Sequence, residues 1–306
     1  MSGRPSVRSS DTFRRFMKQG PGRAVIKSSA FRTMNVARNS VRSRRAARRD
    51  PDRFDQVRTF CLFVGHNKSG TSMLGSLLDA HRDVILSDEV DALQYVEAGF
   101  DRDQIYHLLL RGSEAGHRKG RVTARRLEPY SYAVPDQWQG RSPTPLVVGD
   151  STSGSTTRRL GRDGDLLDRA AALMPGVDVK LVQVIRNPFD PISVMMVRGN
   201  RTFQNSIDHY FTACETLAEL RARCTPEDLL PVRYEAFVAD PEAGLAEACR
   251  FLGVVPDPDY LRACASIIRP TPDRSRRMVE WTPEWIELVE RRMTAFDFLR
   301  GYSYEH

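Results

Sequence analysis

The sequence predicts an α/β fold built on a parallel sheet of about five strands flanked by helices, and three observations carry that expectation. Short apolar runs alternate with longer segments of helical periodicity. Those runs are continuous rather than alternating, as strands covered on both faces are. The first run leads into a glycine-bounded loop that opens a helix, the arrangement of an anion-binding turn.

In chain order, Thr59–Val64 (TFCLFV) reads as the first strand and Gly65–Gly70 as the loop. Thr71–Ala80 follows as an amphipathic helix and Val84–Ser87 as a second strand. Asp101–Arg111 is helical, and Gly112–Pro145 is a long polar stretch of weak periodicity. Leu146–Val148 is a third strand and Val179–Ile185 (VKLVQVI) a fourth, with a helix at Asp165–Met174 between them. Helices are expected at Pro188–Arg198 and Asn205–Arg223, then a fifth strand at Leu229–Arg233. Pro241–Leu252, Pro258–Ile267 and Pro283–Phe298 complete the helices. No internal repeat interrupts this order, and no run approaches the roughly eighteen apolar residues of a membrane span.

The chain of 306 residues accommodates one large domain with an extension. Residues 1–56 hold fifteen Lys/Arg against four acids, a balance of +11, which leaves −4 for residues 57–306. The expected organisation is therefore a basic, flexible N-terminal extension over 1–56 and a folded domain over 57–306. Within the extension, Arg42–Arg49 (RSRRAARR) has the composition of a basic helix, and peripheral contact with anionic lipid or an acidic partner is its sharper reading. The Arg/Ser-rich leader also suits an organelle transit peptide. The acidic balance of the domain speaks against a nucleic-acid partner. The cysteines (Cys61, Cys214, Cys224, Cys249 and Cys264) are odd in number and never at CxxC spacing, the pattern of buried thiols in a reducing compartment. The location expected is cytoplasmic, with peripheral membrane association at most.

The loop GHNKSGTS (Gly65–Ser72) sits where backbone N–H groups and a helix dipole favour an anion. A nucleotide-kinase loop, GxxxxGK[ST], would carry lysine where this chain has Thr71. Here the lysine lies three residues earlier, at Lys68. In that place it sits nearer the first phosphate of an adenosine 5′-substituent. It can meet charge developing on an oxygen that bridges phosphate and sulfur. A sulfuryl group carries less charge than a phosphoryl group, so no metal is expected.

GHNKSGTS after an apolar strand resembles the 5′-phosphosulfate loop of the PAPS-dependent sulfotransferases, whose donor is 3′-phosphoadenosine 5′-phosphosulfate and whose fold is P-loop NTPase-like. The resemblance spans roughly Phe60 to Tyr302. It implies that Lys68 assists catalysis and that Ser69, Gly70, Thr71 and Ser72 hold the 5′-phosphate. After the fourth strand, VIRNPFDPISVMM resembles the family's 3′-phosphate segment, which implies that role for Arg186 and Ser193. Ser193 lies seven residues after Arg186 where many members have eight, a rotation of about 100° on a helix. Arg274–Arg277 resembles a late basic loop closing over the donor phosphates, with Arg276 and Arg277 as its candidates. Arg233-Tyr234-Glu235 resembles a recurrent family element and is read as structural.

Attack on sulfur requires a base facing the donor. The family places either a His at the end of the third core strand or a Glu soon after the second. The third strand here ends in Val148-Gly149-Asp150, with no His. SDEVDAL (Ser87–Leu93) resembles the glutamate-bearing segment of the glycan and protein-tyrosine branches. Glu89 is accordingly the expected base, with Asp88 and Asp91 as the neighbours able to replace it. His66 is read as orienting the loop and His81 as closing the first helix, while His107 and His117 lie away from strand ends. Ser151–Thr157 is read as a flexible polar loop where relatives carry a lysine, with Arg158 or Arg159 supplying charge. Trp138 and Tyr130–Tyr132 are candidates for a surface on which a sugar stacks, or for lid packing.

The expected activity is transfer of a sulfuryl group from PAPS to a hydroxyl or amine, most naturally of a carbohydrate or glycolipid, with PAP as product. The alternatives are a catalytically idle PAP- or glycan-binding module of the same fold, and a P-loop kinase using Mg·ATP.

Overall fold

The computed structural model describes residues 29–123, 130–199 and 201–306. Expectations placed on residues 1–28 fall outside the described residues. The strands are β1 (Thr59–Gly65), β2 (Val84–Ser87), β3 (Val122–Thr123), β4 (Tyr130–Ser131), β5 (Val147–Asp150), β6 (Asp178–Ile185) and β7 (Leu229–Arg233). Five of them form a parallel sheet in the order β2-β5-β1-β6-β7, while β3 and β4 make a separate antiparallel pair. The helices are α1 (Ser29–Arg49), α2 (Thr71–Leu78), α3 (Ala92–Glu97), α4 (Arg102–Arg118), α5 (Ser153–Leu160), α6 (Leu166–Ala172), α7 (Phe189–Gly199) and α8 (Phe203–Arg223). They continue as α9 (Tyr234–Ala239), α10 (Pro241–Leu252), α11 (Pro258–Ser266) and α12 (Pro283–Met293), with 3-10 turns at Ser275–Met278 and Asp297–Leu299.

Every residue of β1 is buried, which explains why its sequence is a continuous apolar run. Its side chains alternate between two cores, one on each face of the sheet. Phe60, Leu62 and Val64 join Ile105, Tyr106 and Tyr210 from α4 and α8. Cys61 and Phe63 join Leu74, Leu77, Leu245 and Tyr260 from α2, α10 and α11. Because the strands are parallel, their carboxyl ends share one edge. Register pairs Leu62 and Ser87 with Asp150, Gly65 with Val184, and Ile185 with Arg233. An open sheet of this kind binds ligands along that edge, and β1 lies at its centre.

Two elements depart from the sequence reading. The extension expected to be flexible contains α1, whose inner face carries the residues that dock it. Val36 packs on the core, Asn39 donates to the Tyr95 hydroxyl at 2.7 Å, and the buried Ser43 receives Gln104. The polar stretch after Gly112 is likewise organised. Its centre is the buried carboxylate of Asp79, at the end of α2. Ser113, Arg121 and the Gly140 N–H all donate to it, as does the Leu86 N–H. Helix α4 consequently runs on to Arg118, beyond the expected end at Arg111.

Candidate active site

The loop after β1 leaves Asn67 and Lys68 exposed, with Ser69 and Thr71 buried beneath them. Lys68 has φ +73° and Gly70 φ +100°, so the chain turns through the left-handed region twice before α2 begins. The first N–H groups of α2 thus face the turn, unsatisfied within the helix and able to receive an anion. Gly70 is needed there on two counts. Its φ disfavours any L side chain, and a Cβ would stand 2.4 Å from Cδ2 of Tyr234.

Behind the loop, His66 is structural. Its Nε2 donates to the Tyr210 carbonyl at 2.9 Å, and the ring stacks on Tyr210 with centroids 3.7 Å apart. Burial lowers its pKa to about 4, so the ring is neutral at physiological pH and orients the loop. The segment 151–157 does the same work from the other side. It was expected to be a flexible polar loop, but Ser153–Leu160 is helix α5 and its hydroxyls are spent internally. The Gly65 N–H donates to Thr157 Oγ1 at 2.8 Å, and Thr157 Oγ1 donates to the Gly65 carbonyl at 3.1 Å. Ser153 Oγ reaches the His66 carbonyl at 3.4 Å.

Arg186 stands at the end of β6, buried, and joins the two expected nucleotide elements directly. Its Nη1 donates to the Lys68 carbonyl at 3.0 Å, and its Nη2 donates to the Asp273 carbonyl. Its Nε lies 3.4 Å from Asp190 Oδ2, and its guanidinium lies over the Tyr234 ring at 4.6 Å. The fork that was expected to grip a phosphate therefore braces the loop and puts a positive charge beneath it. Ser193 is fully buried and accepts from Trp281 Nε1 at 3.0 Å, so its hydroxyl secures an indole. Arg276 is also buried. Its N–H donates to Asp190 Oδ1 at 2.8 Å, and its Nη1 donates to the Tyr304 carbonyl at 2.9 Å, which pins the last residues. Arg277, one residue on, is exposed. Of the late basic loop, Arg274 and Arg277 are thus accessible to a ligand, and Arg276 is not.

On the other flank, the acidic segment after β2 is held at several points. Arg159 forms a two-pronged pair with Asp91, both contacts at 2.8 Å. Ser151 Oγ donates to Asp88 at 3.3 Å. The buried Asp150 accepts from the Ala92 N–H at 2.7 Å and from Thr152 Oγ1 at 2.7 Å. Burial without a cation raises the Asp150 carboxyl from 3.8 to about 6. Glu89 differs from its neighbours. It is exposed, its backbone is held at φ +62°, and among the described residues nothing bonds its carboxylate. Asp88 and Asp91 are engaged where Glu89 is not, and Arg159 is a clamp for Asp91 and Glu97, not a ligand arm.

The aromatic residues considered together in the sequence separate. The Trp138 backbone N–H donates to the Ala80 carbonyl and its ring lies near Arg82, at the amino edge of the sheet and away from the loop. Tyr130 and Tyr132 instead line a cavity of about 530 Å³ with Met73, Tyr234, Arg269 and Asp273. Met73 is in the first turn of α2, so this cavity opens beside the loop on the β6–β7 side. Tyr234 is the residue whose part the sequence understated. It closes on Gly70, lies under Arg186 and walls the cavity, whereas Glu235 and Arg233 hold the tail, as expected of a structural element. An aromatic residue immediately after a parallel strand was the signal available for it. His81, which bonds to the Val255 carbonyl, and His107 both lie outside this edge.

The fold is similar in outline to several solved structures. The sulfotransferase domain from the Synechococcus PCC 7002 olefin synthase is 18% identical with a TM-score of 0.46, over 79% of this chain and 96% of that one. Sulfotransferase STF9 from Mycobacterium avium is 10% identical with a TM-score of 0.48, over 86% of this chain and 84% of that one. Mouse sulfotransferase SULT7A1, solved with PAP, is 12% identical with a TM-score of 0.43, over 82% of this chain and 87% of that one. A search of curated proteins finds no match. Residues 146–258, from β5 through β7 to the start of α11, match the model of the Sulfotransferase family.

Proposed function

We propose that this chain transfers a sulfuryl group from PAPS to a hydroxyl or amine of an acceptor, a carbohydrate or glycolipid in the first instance, and that residues 57–306 form the transferring domain. The observation that carries the reading is the bond from Arg186 to the Lys68 carbonyl, which joins the phosphate loop to the end of β6. The backbone amides of Ser69–Ser72 hold the 5′-phosphate, with the Ser69, Thr71 and Ser72 hydroxyls close by. Arg186 supplies positive potential beneath it, and Arg277, with the exposed Arg274 in the same loop, is available to the 3′-phosphate. The tyrosine-lined cavity takes the nucleoside; its volume is within the range of small-molecule sites.

In the transfer, the acceptor oxygen or nitrogen forms a bond to sulfur as the bond from sulfur to the bridging oxygen breaks. Glu89 accepts the acceptor proton. Lys68 offsets the charge left on the bridging oxygen, which departs as part of PAP. The clamps on Asp88, Asp91 and Ala92 hold the Glu89 backbone in place, and preorganisation of this kind supplies much of the rate. The lysine position sets this chemistry apart from a kinase, since Thr71 occupies the position of the nucleotide-kinase lysine. Thermal unfolding with PAP and with ATP, each in EDTA and in Mg²⁺, tests the donor site. Saturation at about 100 times Kd should stabilise the fold by about 2.7 kcal/mol with PAP. ATP needing Mg²⁺, with no effect of PAP, would overturn the reading.

A further inference from the structure

Helix α1 presents a face to solvent that no element among the described residues covers. Its inner face is fixed by Val36, Asn39 and Ser43 against the core, Tyr95 and Gln104, and Arg111 also donates to Asn39. The outer face is therefore set in direction. At about 100° per residue, Met34 and Val41 stand near its crest. They are 60% and 52% exposed, among the most exposed large apolar side chains described. Around them stand Arg38, Arg42, Arg44, Arg45, Arg48 and Arg49, all exposed. The helix carries no acidic residue, and among the described residues no carboxylate pairs with any of these six arginines.

A purely solvated charge run would not place its two bare apolar side chains at the centre of the arginines. A nucleic-acid backbone would match the charge but offers nothing for methionine and valine. A bilayer surface with anionic headgroups matches both, because guanidinium groups reach the headgroups while apolar side chains enter the acyl boundary. We infer that α1 is a docking helix for an anionic lipid surface, seated by Met34 and Val41 and held by the surrounding arginines. The contact has a consequence for the site. Asn39 touches Tyr95, in the helix that begins three residues after Glu89, so the docked surface lies on the flank of the expected base. The inference stands independently of the proposed transfer reaction.

The test is sedimentation of the full chain with phosphatidylcholine vesicles, with and without about 30% phosphatidylserine, at low and high salt. Binding to the anionic vesicles alone, weakened by salt, is expected. Arg38→Gln with Arg45→Gln should weaken it about 25-fold, at about fivefold per arginine near the surface. Arg38→Lys with Arg45→Lys should retain it, and Met34→Ser with Val41→Ser should lower the binding that survives high salt. These side chains are exposed, and an unchanged melting temperature checks each variant's fold. Equal binding to neutral vesicles, no binding to anionic ones, or a glutamine variant that binds like the parent would overturn the inference. So would capture of an RNA oligonucleotide by a chain that ignores the vesicles.

Discussion

Replacement of Gly70 by alanine is the sharpest perturbation the loop offers, because two costs arise at one atom. The residue lies at φ +100°, where an L side chain is strained by roughly 1–3 kcal/mol. The added Cβ would also stand 2.4 Å from Cδ2 and 2.7 Å from Cε2 of Tyr234, so the ring must move. That ring cannot move freely, since Arg186 lies over it at 4.6 Å and walls of the cavity adjoin it. Overpacking of this kind adds about 1–3 kcal/mol. The variant should therefore lose about 2–6 kcal/mol, divided between global stability and PAP affinity according to how far the loop yields. Urea unfolding and calorimetric titration with PAP measure the two parts. Tyr234→Ala in the same chain removes the clash and leaves the backbone strain, so the pair should couple by at least about 1 kcal/mol. A Gly70→Ala protein within about 0.5 kcal/mol of the parent in both assays would refute the reasoning.

Other perturbations separate the parts of the site. Glu89→Gln should lower the transfer rate by about 10²- to 10⁴-fold with PAP affinity unchanged, because its carboxylate touches no other described residue; steady-state kinetics with PAP titration checks it. Ser193→Ala should cost about 1–3 kcal/mol in urea unfolding by orphaning the buried Trp281 N–H, and should leave PAP binding intact; a large loss of PAP affinity would restore Ser193 to the phosphate site. Asp150 titrates at about 6 in the folded chain against an ordinary 3.8, so its contribution to stability is fully present below about 3.8 and is lost as pH rises through about 6. That difference is about 3 kcal/mol, and Asp150→Asn should flatten the slope of unfolding free energy between those pH values, whatever its absolute stability.

The central parallel sheet was legible because β1, β2 and β5 are buried along their whole length and β6 over its last five residues, so these stretches had to be apolar runs, while the edge strand β7 exposes Pro231 and Arg233. All five expected strands occur, with β5 continuing through Gly149 and Asp150 to the shared edge. The loop was legible because a strand, glycines and a helix start are local in the chain. What failed was long-range. Ser151–Thr157 looked like a flexible loop by composition, yet its hydroxyls bond back to Gly65 and His66 across the sheet edge, and sequence does not display such partners. Ser193 and Arg276 have the residue types for a phosphate, but Trp281 and Tyr304 claim them from far along the chain. The basic helix was legible in Arg42–Arg49, but the docking of α1 was hidden by the same limit, since Asn39 and Ser43 become docking residues only when Tyr95 and Gln104 are opposite them. Tyr234 shows the converse, a residue in a recurrent structural element that gains its part from the two neighbours it touches.

The most direct measurement is transfer of radiolabelled sulfate from PAPS in EDTA, beside radiolabelled phosphate from ATP in Mg²⁺, to lipid, glycan and small-molecule fractions, by the parent and by Lys68→Ala. The parent should label one acceptor fraction. Lys68→Ala should lose about 10²- to 10³-fold in rate while binding PAP within a few fold of the parent. Undiminished transfer by Lys68→Ala, or phosphorylation from Mg·ATP in place of sulfation, would contradict the proposed chemistry.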